Sequence, residues 1–164
     1  MLLGPVLDPM RSAGILKNLN TLHIRMKQHS HNAMYLAEKL QNLGLKIYYP
    51  GLKEHKGHEL LKSIMNEEYG FGGMMAIDME QAEKANSLME LMQVRGIGYL
   101  AVSLGYFRTL FSNPGKSTSS EVPEDVQKSM GLSEGLIRMS VGLDNNIEST
   151  YQTIKKCLEE EKII

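Results

Sequence analysis

The sequence predicts an α+β domain: a small, mostly antiparallel sheet covered on one face by helices, with a long N-terminal connecting helix. Three observations carry that expectation. An apolar stripe at steps of three, four and seven runs from Leu22 to Leu43, the pattern of one long amphipathic helix. Short apolar runs of strand length recur at 71–79, 98–104 and 135–142. Between and after them, 81–94 and 147–160 carry helical spacing. At 164 residues the chain has the length of one ordinary domain, able to bury about 70% of its unfolded surface.

The elements follow in order. Gly4-Pro5 keeps the entry irregular, and Asp8 followed by Pro9 predicts a short helix over 8–18, with an N-capping carboxylate and a proline at the first helical position. Thr21 is the expected N-cap of the long helix, whose inward residues are Leu22, Met26, Ala33, Leu36, Leu40 and Leu43, and Gly44 ends it. Lys46–Tyr49 reads as a strand closed by Pro50-Gly51, and His58–Asn66 as a helix. Phe71–Met79 reads as a buried strand with a bulge or close backbone approach at Gly72-Gly73. Gln81–Val94 is a helix with Ala82, Ala85, Leu88, Met89 and Met92 inward, and Gly98–Leu104 is a further strand. The polar run 112–120 is a loop, 125–130 a brief helical turn, 135–142 a strand and 147–160 the last helix, capped by Asn145 or Asn146.

Composition narrows the function. Eighteen basic against 19 acidic residues, with no basic block, predict no nucleic-acid partner and no membrane partner, and favour a small neutral or zwitterionic ligand. A single cysteine, Cys157, excludes an internal disulfide and a cysteine metal cluster. No apolar run reaches about 18 residues and Met1-Leu2-Leu3 lacks a basic flank, so a soluble, cytoplasmic protein is expected. The methionines include Met74, Met75 and Met79, which are read as adaptable core filling, because no histidine or cysteine accompanies them to make a metal site.

The residue that stands out is Arg138, inside Gly135-Leu136-Ile137-Arg138-Met139-Ser140-Val141-Gly142. A guanidinium on a buried strand needs an anion and hydrogen bonds to offset its desolvation, and its planar fork fits a carboxylate bidentately. The residues alone leave three readings open: a carboxylate-bearing ligand, an internal salt bridge, or a strand end that lets the charged head reach water. Other chemistry fails on spacing. Gly115-Lys116-Ser117 imitates the end of a phosphate loop, but the earlier glycine of that motif falls on Leu110. Ser103 is followed by Gly105 but lacks the preceding glycine of a nucleophile elbow, Ala101 standing there, and all five histidines (His23, His29, His31, His55, His58) precede it. His55 and His58 beside Glu54 and Glu59 make a weak metal pair, and no metal site is predicted.

Three segments then carry a resemblance: Ala101-Val102-Ser103-Leu104-Gly105, Ser117-Thr118-Ser119-Ser120, and Gly131-Leu132-Ser133-Glu134-Gly135 running into the Arg138 strand. They resemble the C-terminal part of the Cys/Met-metabolism pyridoxal-phosphate (PLP) enzymes, in particular the methionine gamma-lyase-like branch. The likeness extends through Asn20-Thr21-Leu22, Arg25-Met26, Tyr49-Pro50-Gly51-Leu52 and Tyr69-Gly70-Phe71-Gly72-Gly73-Met74, so it covers nearly the whole chain in order.

The resemblance implies a fold-type I enzyme in which the serine-leucine-glycine strand borders the active site and the arginine grips the substrate α-carboxylate. Ser103 and Arg138 hold those positions, Val102 and Leu104 flank the serine, and Thr118 helps build the same pocket. It implies residues 1–44 as connecting helices and 45–164 as the small C-terminal domain, a sulfur-containing amino acid as substrate partner, and a homo-oligomer. The sequence departs from the pattern at Gly105-Tyr106-Phe107-Arg108-Thr109, where relatives carry Gly-Gly-x-Glu-Ser, and at Ser117-Thr118-Ser119 for Met-Thr-His. A larger departure is the Schiff-base lysine: none of the 13 lysines, from Lys17 to Lys162, sits in the family's Ser-x-Thr-Lys. The large PLP-binding domain is thus expected to lie outside this chain, which is expected to be inactive alone, to bind no PLP itself and to supply the carboxylate site of a PLP-dependent carbon–sulfur lyase. The other expectation is a stand-alone, non-catalytic amino-acid-binding or dimerisation module.

Overall fold

A computed structural model describes residues 6–116, 122–129, 131 and 133–164. Five strands form one sheet in the order β1-β2-β5-β4-β3: β1 (Lys46–Tyr48), β2 (Met74–Asp78), β3 (Gly98–Leu100), β4 (Thr109–Ser112) and β5 (Leu136–Ser140). Every pairing is antiparallel except β3 with β4. The helices are α1 (Pro9–Leu19), α2 (Leu22–Asn42), α3 (His58–Ile64), α4 (Ala82–Val94), α5 (Glu124–Ser129) and α6 (Ile147–Glu160).

Local chemistry accounts for most boundaries. The Asp8 carboxylate accepts from the Arg11 backbone N–H at 3.0 Å and Pro9 opens α1, as that dipeptide predicts. Gly44 follows α2 at φ +87°, a conformation that only glycine adopts without cost. Asn146 caps α6, accepting from Ser149 N–H at 3.1 Å. Thr21 does not cap α2: its hydroxyl donates back to the Asn18 carbonyl, and the helix start makes no side-chain cap bond.

The pleat divides the sheet into two faces. Ile47, Ile77 and Ile137 share one row, and Met75, Met139 and Phe111 the next, all pointing to one side. There they meet Leu36 and Leu40 of α2, Leu88 and Met92 of α4, and Ile154 and Leu158 of α6, which close the core. This is the sheet covered by helices on one face that the periodicity implies. On the other side stands a row of Tyr48, Ala76, Arg138 and Ser112, with Met74, Ser140 and Leu110 beside it.

Two strands differ from the sequence reading. Phe71–Met79 pairs only from Met74, because Gly72 takes φ +81° and leaves the ladder. The 98–104 strand stops at Leu100, and the missing strand is β4, four residues that the sequence reading placed partly in a polar loop. β4 is short and holds Thr109 and Ser112 buried, so its polar-apolar-apolar-polar order gives no period-two amphipathic signal. The parallel β3–β4 pair depends on Gly98, where a Cβ would lie 2.2 Å from the Thr109 carbonyl oxygen.

Asp78 ties the sheet edge together. Its buried carboxylate accepts from Lys46 Nζ at 2.8 Å, from the Glu80 backbone N–H at 2.9 Å and from the Ser133 hydroxyl. Burial works against its ionisation, but the bonds from Lys46, Ser133 and Glu80 outweigh that and hold the carboxyl below its ordinary value of 3.8. A group with a depressed folded pKa stabilises the fold above its unfolded pKa and loses that contribution as pH falls through the folded value. Asp78→Asn is therefore expected to cost about 2 kcal/mol in urea unfolding at pH 7, with the deficit against wild type shrinking as pH drops below 3.8. Two curves that stay parallel through acid pH would contradict this.

Candidate functional site

The second sheet face is where Arg138 lies, and its setting follows from strand alternation. Arg138 and Ser140 are two apart on β5, so both point away from the helices. Ser140 is buried and its hydroxyl accepts from the Gly105 backbone N–H at 3.0 Å. Gly105 has φ +69°, and this turn folds the 101–108 segment back over the sheet. The Ser103 carbonyl is thereby brought to Arg138, which donates to it from Nη2 at 3.4 Å.

Arg138 makes no ion pair among the described residues, whose cationic partners in ion pairs are Arg11, Lys27, Lys46, His58, Arg95 and Lys155. That overturns the internal-salt-bridge reading for those residues. The guanidinium is half-exposed, bonded weakly to one neutral carbonyl, and still holds donors in its planar fork. A carboxylate arriving on this face would find a cation with no competing anion among the described residues.

The other expected residues are placed as follows. Ser103 belongs to an irregular loop, not to a strand, and presents its carbonyl to Arg138. Val102 and Leu104 flank it at 60% and 64% exposure, apolar side chains standing in water beside the arginine. Thr118, with Ser117, Ser119 and Ser120, lies outside the described residues. Arg108, where the sequence departs from its relatives' glutamate, donates to the Gly96 carbonyl at 3.1 Å and stacks over the Tyr99 ring at 5.4 Å. A cavity of about 320 Å³ lined by Phe107, Arg108, Thr109, Gly142 and Asp144 does not include Arg138.

The histidines take structural places. His29 is buried with Nδ1 2.6 Å from the Val141 carbonyl oxygen, and His58 stacks on Phe71 and bonds the Pro50 carbonyl oxygen. Among the described residues no three His, Cys, Asp or Glu side chains gather as metal ligands, and no helix is long and apolar enough to cross a membrane.

A family model for Cys/Met metabolism PLP-dependent enzymes matches residues 1–159. The chain belongs to that family. Methionine gamma-lyase of Arabidopsis thaliana is 43% identical over 157 residues, covering 95% of this chain and 36% of the relative. A cystathionine beta-lyase of Lactococcus lactis is 35% identical over 161 residues, covering 97% of this chain and 40% of the relative. Among solved structures, a putative O-acetylhomoserine (thiol)-lyase from Campylobacter jejuni, bearing an N'-pyridoxyl-lysine-5'-monophosphate, superposes with a TM-score of 0.86 at 28% identity. That superposition covers 96% of this chain and 37% of the other. The chain thus spans about two fifths of the length of the relatives it matches.

Family membership raises the question of where PLP fits. Every lysine whose side chain is described is exposed or half-exposed, and none lies in a buried recess beside Arg138. The lysines with described side chains do not make a Schiff-base site, whereas Arg138 stands half-exposed beside the 101–108 loop with donors left for an anion.

Two residues of this face escaped the sequence reading. Ser140 was legible from its alternation with Arg138, since period-2 spacing puts both on one side. Ser112 was not, because its place beside Arg138 depends on the β4–β5 register, a long-range pairing.

Proposed function

We propose that this chain is the substrate-carboxylate domain of a PLP-dependent carbon–sulfur lyase acting on sulfur amino acids, with methionine as its substrate. The supporting observation is the guanidinium of Arg138, without an ion-pair partner among the described residues and set by the Ser140–Gly105 bond against the Ser103 carbonyl, on a sheet face the helices leave open. In this reading Arg138 takes both oxygens of the α-carboxylate and fixes the amino acid's orientation. Val102 and Leu104 exclude water around the aliphatic part of the substrate, and Thr118 completes the anion pocket. Residues 1–44 connect to the catalytic domain and 45–164 form the small domain. PLP, held by a lysine outside this chain, supplies the electron sink for the reaction.

The reaction proposed for the complete enzyme is elimination across Cγ–S of methionine. Methionine and water give a thiol, ammonia and a 2-oxo acid. Alone, the chain holds no PLP and is inactive. In the complete, cytoplasmic enzyme the partners are the amino acid and further copies of the same protein.

Surface chemistry favours a covered face. Tyr99, Leu100, Val102, Leu104, Tyr106 and Phe107 lie together in sequence and are 42–64% exposed, and α1 has no buried residue at all. An apolar surface of that extent marks an interface. The rest of a relative's length, about three fifths, is the fitting occupant.

The test mixes the purified chain with PLP and L-methionine, with and without the PLP-binding domain of the Arabidopsis methionine gamma-lyase. The expected result is no 2-oxo acid from the chain alone and release of 2-oxo acid from the mixture. Methionine cleavage by the chain alone would refute the assignment.

A further inference from the structure

We propose that Ser112 is a positioning residue for Arg138: when the guanidinium leaves the Ser103 carbonyl for a carboxylate, the Ser112 hydroxyl oxygen accepts one of its N–H groups and holds the fork in the orientation that binds the anion. This rests on the carboxylate reading of Arg138 given above, and it adds a residue that neither the motif nor the resemblance pointed to.

Three observations meet at this position. The Ser112 hydroxyl is the one buried side-chain polar atom among the described residues that has no hydrogen-bond partner. Its residue is 94% buried, away from bulk water. Buried hydroxyls are nearly always paired, and an orphan signals either a partner that arrives in another state or a role beyond stability. Second, Ser112 is directly opposite Arg138 in the β4–β5 register, and residues so paired project side by side from one face with Cβ atoms about 5 Å apart. Third, Arg138 is under-used. Its guanidinium carries five N–H donors and makes one described bond, the long one of 3.4 Å to the Ser103 carbonyl.

The chemistry allows one direction only. A guanidinium has no acceptor, so Ser112 must accept and Arg138 donate. With one edge of the fork held by Ser112 the other edge stays free, and two parallel N–H groups remain aimed at an incoming carboxylate. The Ser103 carbonyl then acts as a resting place that the guanidinium leaves when an anion arrives. A serine suits this better than an acidic residue, which would pair with Arg138 outright and compete with the ligand. Ala76, on the other side of Arg138 in the same row, is too small to block the turn and has no polar side-chain atom to divert it.

The experiment uses the 164-residue chain labelled with nitrogen-15. The Arg138 Nε–Hε resonance is assigned by its loss in Arg138→Lys, then followed in wild type, Ser112→Ala and Ser112→Thr, each free and titrated with L-methionine. In Ser112→Ala saturated with L-methionine the resonance is expected to differ from that of the saturated wild type and its hydrogen exchange with water to be about fivefold faster, as follows from the loss of one ordinary hydrogen bond. Ser112→Thr, which keeps the hydroxyl, restores the wild-type signal. Ser112→Ala should also unfold in urea at the same or a higher concentration than wild type, because an unpaired buried hydroxyl is removed. That outcome separates positioning from a structural role, which would lower the midpoint.

An Arg138 signal that methionine shifts identically in all three proteins overturns the proposal, and so does a Ser112→Thr variant that behaves like Ser112→Ala. If methionine leaves Arg138 of the wild type unmoved, the carboxylate reading itself fails and the role of Ser112 with it, an outcome distinct from a shift that Ser112→Ala does not alter.

Discussion

Replacing Arg138 should remove most of the affinity for an amino acid's carboxylate. With the chain and the PLP-binding domain combined, Arg138→Ala is expected to raise KM for methionine by at least about a hundredfold. That follows from losing two charge-assisted hydrogen bonds of roughly 1.5–3 kcal/mol each, at 1.4 kcal/mol per factor of ten. Arg138→Lys keeps the charge but replaces a planar fork by a point donor, and an increase of about tenfold is expected. Because the carboxylate is held in ground state and transition state alike, the loss should fall on KM more than on kcat. The face around Arg138 makes this effect clean: no described acid is paired with the guanidinium, so the substitution leaves no buried anion behind. An unchanged KM in Arg138→Lys would show that the carboxylate binds elsewhere.

The largest loss of stability is expected at Phe111, the central residue of the strand that the sequence did not show. Phe111 is 1% exposed, sits between Met139 of β5 and Leu100 of β3, and lies 3.0 Å from where a Cβ on Gly98 would be. Truncating it to alanine removes the apolar contacts joining β3 to the sheet and opens a cavity that the close Gly98–Thr109 approach cannot collapse into. A cost of about 3–5 kcal/mol is expected, measured as a fall in the urea midpoint at constant slope. Domains of this size have only about 5–15 kcal/mol to lose. Phe111→Leu, which retains most of the volume, should cost well under half as much. A Phe111→Ala variant within 1 kcal/mol of wild type would mean that β4 is not part of the core.

The two positions show what kind of information the chain carries locally. Helix α2 was legible because one face of a 21-residue helix repeats its apolar side chains often enough to be read without knowing what they pack against. The same holds for α4 and α6, and for the helix ends at Asp8, Gly44 and Asn146, where a single side chain or a glycine performs the capping. Arg138 was legible for a different reason, a charge in an apolar strand being costly enough to demand an explanation. Strand β4 was not. Its four residues are all buried, two of them polar, and such a run looks like a loop until its neighbours on both sides are known. The strand assignment of Ser103 failed, because pairing ended at Leu100 once the chain turned at Gly105 to cover the second face.

The amino-acid sequence by itself determined the helices, the antiparallel character of most of the sheet, the family resemblance and the presence of an arginine in an otherwise apolar strand. These depend on residues close together in the chain or on the cost of a single buried charge. Tertiary structure alone decided which side chains share a face with Arg138. The Ser112–Arg138 pairing spans 26 positions, and the Gly105–Ser140 bond spans 35. The physical reason is register: a shift of one residue between β4 and β5 turns every side chain to the opposite face, and nothing within either strand fixes that choice until the helical layer has packed against the other side.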